Sequence, residues 1–415
     1  MGEGVAIGVV GLVLVGCGVG SRYETMKVRW RRVTLVEALA EPERAPAERE
    51  RIETVIAARA FAAALGLDVG EHFGTLSAIE RDHPGYVLTA AEELALRPYL
   101  WREEPVGARS GKAFLERHEA EDEAARLARA GYDTHVRAAT TFRSFPGLPI
   151  PLLEADLRRG PVALARRVLR EIYRDTVALP GGAATGFGDS LASFVGHRGA
   201  IALFAGPPEQ AERLRQARIA WQAERRYAAY LERLADALAR AYAQPGADSA
   251  RDAKRRFFRA ARADLRALSE HYEALGVRRL RAPRNNAALL YELERTRGLD
   301  LFEAVHERTR DLRRTLDVVE GVARTRGGDP FLAVRSVLAG PGPAATSATP
   351  EPAAAPSPGR PSGSPGRLML QSPGQTAASA PPEAPPTPAS PSPAGPSGTP
   401  ASTVPTDPAP PTPAS

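Results

Sequence analysis

A charged strip within Leu169–Phe204 has the spacing of a metal-dependent hydrolytic site, but two of its side chains are of the wrong type. Arg170 and Arg174 lie four residues apart, so they share one face of a helix, and Glu171 stands between them. Two histidines at this spacing bind zinc, and the glutamate between them acts on a water molecule. Arginine stays protonated and offers a metal no lone pair, so the strip places positive charge where such a site holds a cation.

The same residues have a simpler interpretation as ion pairs on a helix surface. Glu171 follows Arg167 by four residues and precedes Arg174 by three. It can therefore pair with either arginine, for about 0.3 kcal/mol. Asp175 can serve a neighbouring arginine or another chain in the same way. On this interpretation Glu171 has no catalytic role, because a carboxylate without a metal gives no route to peptide hydrolysis.

Other kinds of site find no support in the sequence. Ser190 and Ser193 lack the GxSxG turn that presents a nucleophilic serine. The glycine-rich loops GxGxxG and GxxxxGK(S/T) are absent where a strand would lead into a helix, so we expect no nucleotide. No two of the seven histidines have metal-ligand spacing. We expect a lone helical histidine such as His197 to lie at the surface or at a helix end.

The composition predicts a mostly globular, basic protein. Of 415 residues, 43% are hydrophobic and 25% charged, which allows one large core or two modest ones. The net charge is +6, but the arginines alternate with acidic residues along helical stretches, as is typical of a solvated helix surface. No zinc-finger, RNA-recognition or helix-turn-helix signature is present, so we expect no nucleic-acid partner.

The N-terminal segment has the pattern of a lipoprotein signal. An apolar run over residues 5–15 is too short to span a bilayer and suits a signal peptide. Its end overlaps LVGC (14–17), which matches the lipobox pattern with Cys17 as the lipidated residue. We expect residues 1–17 to be the signal peptide and Cys17 to be lipidated. Gly18 follows instead of an inner-membrane retention aspartate, which predicts a lipid anchor in the outer membrane, facing the periplasm.

Hydrophobic periodicity predicts an α+β fold that is predominantly helical, with a small sheet beside a helical bundle. A globular domain is expected over residues 18–340. Residues 341–415 are rich in Pro, Ala and Ser, and they are expected to be disordered. Helices are predicted at Tyr23–Leu39, Ile52–Leu65, Phe114–Ala130, Glu209–Tyr242, Ser249–Leu275 and after an Asn285-Asn286 cap, and strands at Gly85–Ala90 and Thr134–Phe142.

The order of these features resembles the predicted aminopeptidases of bacterial envelopes, a family of lipoproteins with a zinc site. The likeness covers most of residues 14–320. Its elements are the lipobox, YVLTA in the first strand, GYD (131–133), FPGLP (145–149), LPG (179–181), FVGHRGA (194–200) and NNA (285–287). Each piece alone is weak, and the order and spacing together carry the likeness.

The resemblance implies a gluzincin-like peptidase scaffold with a degenerate HExxH motif. In that family two histidines and a carboxylate from the next helix hold zinc. Here Arg170 and Arg174 stand at both histidine positions and Asp189 at the third ligand position, while Glu171 keeps the position of the general base. If the fold is retained, forks between these arginines and the carboxylates of Asp189 and Glu171 are expected to replace the metal as a clamp between helices.

The degenerate motif and the proline-rich tail leave three possible functions. The leading hypothesis is a catalytically inactive envelope lipoprotein with no cofactor, whose cleft binds peptide or an envelope protein. The alternative is an active metal-dependent aminopeptidase that releases N-terminal residues from peptides and uses zinc. A third class is a surface-tethering protein that uses the proline-rich tail.

Overall fold

The computed structural model describes residues 32–78, 83, 85–103, 107–139, 149–177, 179, 186–277, 280–325 and 328–339. The chain divides into two units, Met1–Thr346 and Ser347–Ser415, and every described residue lies in the first. The predicted signal peptide with Cys17, and the predicted tail, lie outside the described residues.

The described residues are mostly helical, with short strands near the N-terminal end. The helices are α1 (Leu35–Ala40), α2 (Pro46–Ala64), α3 (Arg117–Arg129), α4 (Pro161–Thr176), α5 (Phe187–Leu203), α6 (Ala211–Tyr242), α7 (Ala247–Glu273), α8 (Asn286–Thr296), α9 (Leu299–Thr309), α10 (Leu312–Thr325) and α11 (Pro330–Ala339). The strands are β1 (Arg32–Thr34), β2 (Thr75–Ser77), β3 (Tyr86–Glu92), β4 (Trp101–Glu103), β5 (Gly107–Arg109), β6 (Gly111–Phe114), β7 (Tyr132–Ala138) and β8 (Leu152–Leu153). The predominantly helical α+β class is therefore confirmed. Within the described ranges, every helix is too short or too polar to cross a lipid bilayer.

The strands form three small sheets where the sequence predicted one. An antiparallel sheet has the order β6-β3-β7, with Thr89 opposite His135 and Gly111. A second sheet, β1-β2-β8, pairs β2 with β8 in parallel, and β4 pairs with β5 alone. Of the predicted helix Tyr23–Leu39, the structure confirms Leu35–Leu39 as part of α1, whereas Arg32–Thr34 form β1. A strand precedes α1 there because the Thr34 side chain caps α1 by accepting from the Glu37 amide.

Helices α4 and α5 lie together in the main core. α4 begins after Gly160 with Pro161, whose fixed φ suits a first helical position. α5 is buried on nearly all sides, as expected of a helix that is apolar around its whole circumference. The two helices approach closely at Gly196, where a Cβ would lie 2.6 Å from the Arg166 carbonyl oxygen. Only glycine allows this approach, which sets how near the side chains of α4 come to α5.

The predicted Asn285-Asn286 cap is confirmed, and it also joins α8 to the β6-β3-β7 sheet. The Asn285 side chain accepts from the Ala288 amide and donates to the Thr134 carbonyl at 2.9 Å. Asn286 is fully buried, and its side-chain nitrogen donates to the Glu92 carbonyl at 3.0 Å. These bonds fix α8, and with it the charged side chains that follow, beside β3 and β7.

Candidate functional site

The site begins with Glu171, which lies on the buried side of α4. Its side chain is 1% exposed, and Arg170 Nη1 donates to its Oε1 at 2.9 Å. The sequence had favoured a surface ion pair of this glutamate with Arg167 or Arg174; the surface location is wrong, whereas Arg174 does lie 3.8 Å from Glu171. Apolar neighbours of Glu171 on α4, including Val168 and Ile172, pack into the core. Glu171 is buried because it lies on the same side of the helix.

Arg174 connects the two helices through its guanidinium group. Its Nε lies 2.5 Å from Oδ1 of Asp189 on α5, and its Nη1 lies 3.8 Å from Oε2 of Glu171. The expected contacts between the pentad arginines and the two carboxylates are therefore present.

These side chains do not fit a zinc ion. Arg170 and Arg174 have no lone pair to give, and their charges already lie against the carboxylates of Glu171 and Asp189 that would have to face the metal. Among the residues that the structure describes, no group of three or more His, Cys, Asp or Glu side chains is arranged to hold a metal ion.

Three further arginines surround this pair, and the sequence analysis missed them as site residues. Arg166 precedes Arg170 by one helical turn on α4, and its Nη2 lies 4.0 Å from Glu224 of α6. Arg295 of α8 lies 3.6 Å from Glu292. The guanidinium carbon of Arg137 on β7 lies 3.9 Å from the centroid of the Tyr291 ring, a cation–π contact. The spacing of positions 166, 170 and 174 predicts a shared helix face, but no sequence signal points to residues 137 and 295.

Burial and mutual repulsion control the charges in this cluster. Burial lowers the pKa of Arg166 and of Arg170, and the positive charge of Arg295 lowers both further. Burial also raises the pKa of Glu294 on α8 to about 7, with a contribution from the negative charge of Asp189. The arginines remain protonated near neutral pH because their ordinary pKa is so high, whereas the glutamate is partly neutral.

The structure corrects the expectation for His197 and gives Asp175 a histidine neighbour. His197 is neither at the surface nor at a helix end: it is 3% exposed, with its ring centroid 5.1 Å from that of Trp221. Burial holds the pKa of His197 well below its ordinary value. Asp175, expected to serve a neighbouring arginine or another chain, lies 3.1 Å from His72 Nε2, and the Ile150 amide donates to His72 Nδ1 at 3.2 Å.

The fold and the site together define a mostly helical α+β protein in which arginines and carboxylates join the two central helices. Residues 19–327 match the model of the family described as putative aminopeptidase, so the chain belongs to that family. Neither a curated protein nor a solved structure is significantly similar to the chain.

Proposed function

We propose that this protein is a non-catalytic member of its family, an envelope lipoprotein that uses the former peptidase cleft of a gluzincin-like scaffold to bind peptide or an envelope protein. It needs no cofactor for this role. Glu171, at the general-base position, serves as a partner of Arg170 and not as a base.

One observation carries the proposal: Arg170 and Arg174 direct their guanidinium groups at Glu171 and Asp189, the carboxylates that catalysis would require. Arg170 lies 2.9 Å from Glu171, and Arg174 lies 2.5 Å from Asp189. A dication at this place would face two fixed positive charges in a poorly solvated environment, where like charges repel strongly. Water would therefore lack the metal that lowers its pKa for attack on a peptide bond.

The test combines metal analysis with an aminopeptidase assay on the full chain. Protein purified without chelator and then dialysed against zinc should hold well under one zinc ion per chain by elemental mass spectrometry. It should also release no 4-nitroaniline from a panel of aminoacyl-4-nitroanilides. Stoichiometric zinc, together with release of N-terminal residues that a chelator abolishes, would establish the active aminopeptidase instead.

The proposed lipid anchor at Cys17 has its own test. A Cys17→Ala variant expressed in a Gram-negative host should lose incorporation of an alkyne-tagged fatty acid and should leave the outer-membrane fraction. A variant that stays bound to the membrane would contradict lipid anchoring.

Deleting residues 341–415 tests the tethering role. If the shortened protein stays folded but no longer captures a partner, the tail and not the cleft binds that partner.

A further inference from the structure

Four arginines from three separate elements converge beside the Glu171 pair: Arg137 of β7, Arg166 and Arg170 of α4, and Arg295 of α8. We call these four residues the arginine cluster. The charges of Arg170 and Arg295 lower the pKa of both Arg137 and Arg166, in addition to the effect of burial. The geometry agrees, because Arg137 and Arg295 lie 3.9 Å and 5.6 Å from the centroid of the same Tyr291 ring, and Arg166 lies one turn from Arg170 on α4. A nearby anion would stabilise such a group of like charges.

The arginine cluster has hydrogen-bond donors to spare. The buried Nε atoms of all four arginines have no acceptor among the described residues. Arg166 also lies 4.0 Å from Glu224, and Arg295 lies 3.6 Å from Glu292, both beyond good hydrogen-bonding distance. A guanidinium group carries five donors in a planar fork that matches a carboxylate. These arginines can therefore donate hydrogen bonds to an additional oxyanion.

The neighbouring carboxylates do not neutralise the arginine cluster fully. Asp189 and Glu171 lie against Arg174 and Arg170. Burial raises the pKa of Glu292, and it raises that of Glu294 to about 7, so the negative charge of Glu294 is diminished near neutral pH. Glu224 also lies here, 4.0 Å from Arg166, so the positive charge of the arginines exceeds the negative charge of the carboxylates only by the protonated fraction of Glu294.

A ligand can reach the arginine cluster from solvent. The side chains of Arg166, Arg170 and Arg295 keep 28%, 18% and 30% of their surface exposed. They are thus partly desolvated, which strengthens an ion pair, and a ligand would contact their exposed part first, because the Nε atoms without an acceptor are buried.

We propose that the arginine cluster is a carboxylate-binding site that selects acidic peptide segments. The inference rests on the proposed function, which supplies a peptide as the ligand. The peptide contributes either the side-chain carboxylates of Glu or Asp or its own C-terminal carboxylate, and the guanidinium groups of Arg166 and Arg137 receive it from two different elements.

Isothermal titration calorimetry on the full chain tests this with three unlabelled peptides. Ala-Ala-Glu-Glu-Ala amide offers only side-chain carboxylates, Ala-Ala-Gln-Gln-Ala acid only a terminal one, and Ala-Ala-Gln-Gln-Ala amide neither. We expect at least one of the first two peptides to bind about tenfold more tightly than the third, because only a carboxylate can form charge-assisted hydrogen bonds with the arginines. Which of the two does so identifies the source of the carboxylate.

Variants locate the binding. Arg166→Gln should weaken binding of the acidic peptide about tenfold. Arg137→Gln, on another element, should do the same, and it serves as the test if Arg166→Gln disturbs folding. Arg259→Gln removes an equal charge from the exposed side of α7 and should leave binding unchanged. Circular dichroism melts verify that each variant is folded.

Three results would overturn the inference: no binding of any peptide, equal binding of the acid-free peptide, or equal weakening by Arg259→Gln. Equal binding of the acid-free peptide would leave the non-catalytic binding function intact. Stoichiometric zinc with peptide cleavage would instead refute the proposed function, so the two failures are distinguishable.

Discussion

Arg174 of α4 reaches Asp189 of α5, with its Nε 2.5 Å from Oδ1 of the carboxylate. The same guanidinium group lies 3.8 Å from the buried Glu171. One arginine thus connects both carboxylates of the degenerate motif and joins the two helices at the centre of the core.

Removing the Asp189 carboxylate should destabilise the fold. Asp189→Asn leaves the partly buried Arg174 without its closest counter-charge, and we expect a loss of about 1–2 kcal/mol in the free energy of unfolding, measured with urea. A double-mutant cycle with Arg174→Met should give a coupling energy of similar size. Additive effects would show that the contact does not join the helices. The exposed pair Asp248 and Arg251, 3.2 Å apart with Asp248 99% exposed, is the control, and Asp248→Asn should cost under about 0.5 kcal/mol.

The close approach of α4 and α5 should make Gly196 intolerant of a side chain. Gly196→Ala places a methyl group 2.6 Å from the Arg166 carbonyl oxygen, which forces the helices apart. We expect a loss of about 1–3 kcal/mol in the free energy of unfolding, in spite of the better helix propensity of alanine. Gly188→Ala, on the same helix with nothing within 4 Å of the added Cβ, should be neutral or stabilising. Equal effects at the two sites would contradict this packing.

Restoring histidine should restore metal affinity. In the Arg170→His, Arg174→His double variant, two imidazoles share a helix face beside Glu171 and opposite Asp189. We expect zinc to bind at least about tenfold more tightly than to the wild type, measured by competition with a chromophoric chelator. The Arg170→Gln, Arg174→Gln variant removes the same charges without adding ligands and should gain no affinity. Failure of the histidine variant to exceed it would show that the helices are not positioned for zinc.

The pKa of Glu294 predicts a stability change with pH. The folded carboxyl keeps its proton up to about pH 7, whereas its ordinary pKa is 4.5. The folded state therefore binds more protons between these values, and stability is lost as the pH rises from about 4.5 to about 7. The groups that face it are Ser110, Asp189 of α5, Arg174 of α4 and Arg137 of β7.

Glu294→Gln mimics the protonated carboxyl at every pH. Relative to the wild type, its free energy of unfolding should gain about 2–3 kcal/mol between pH 4.5 and pH 8, measured with urea. The comparison is made as a difference because the pKa of His135, lowered by burial to about 4, acts on wild-type stability in the opposite direction. A pH-independent difference would contradict the prediction. Glu270→Gln, exposed on α7, controls for the substitution itself.

Local spacing predicted a good part of the fold. The long helix α6 and its end at Tyr242, the strand β3 and the Asn285 cap all follow from hydrophobic periodicity and from a side chain that bonds its own helix start. The helix expected over Tyr23–Leu39 is present at Leu35–Leu39 but wrong at Arg32–Thr34, because that segment pairs with β2 and Thr34 caps α1. The predicted number of sheets was also wrong, with three found instead of one, because strand pairing joins segments far apart in sequence.

The chemistry of the two motif positions follows from residue identity alone, since an arginine has no lone pair for a metal in any fold. What the tertiary structure decided is the environment of those arginines. It buried Glu171, which the spacing along one helix had left at the surface, and it brought Arg137 and Arg295 beside Arg170. Spacing along the chain determines only which side chains share a helix face, whereas contacts between different helices and strands depend on how these elements pack.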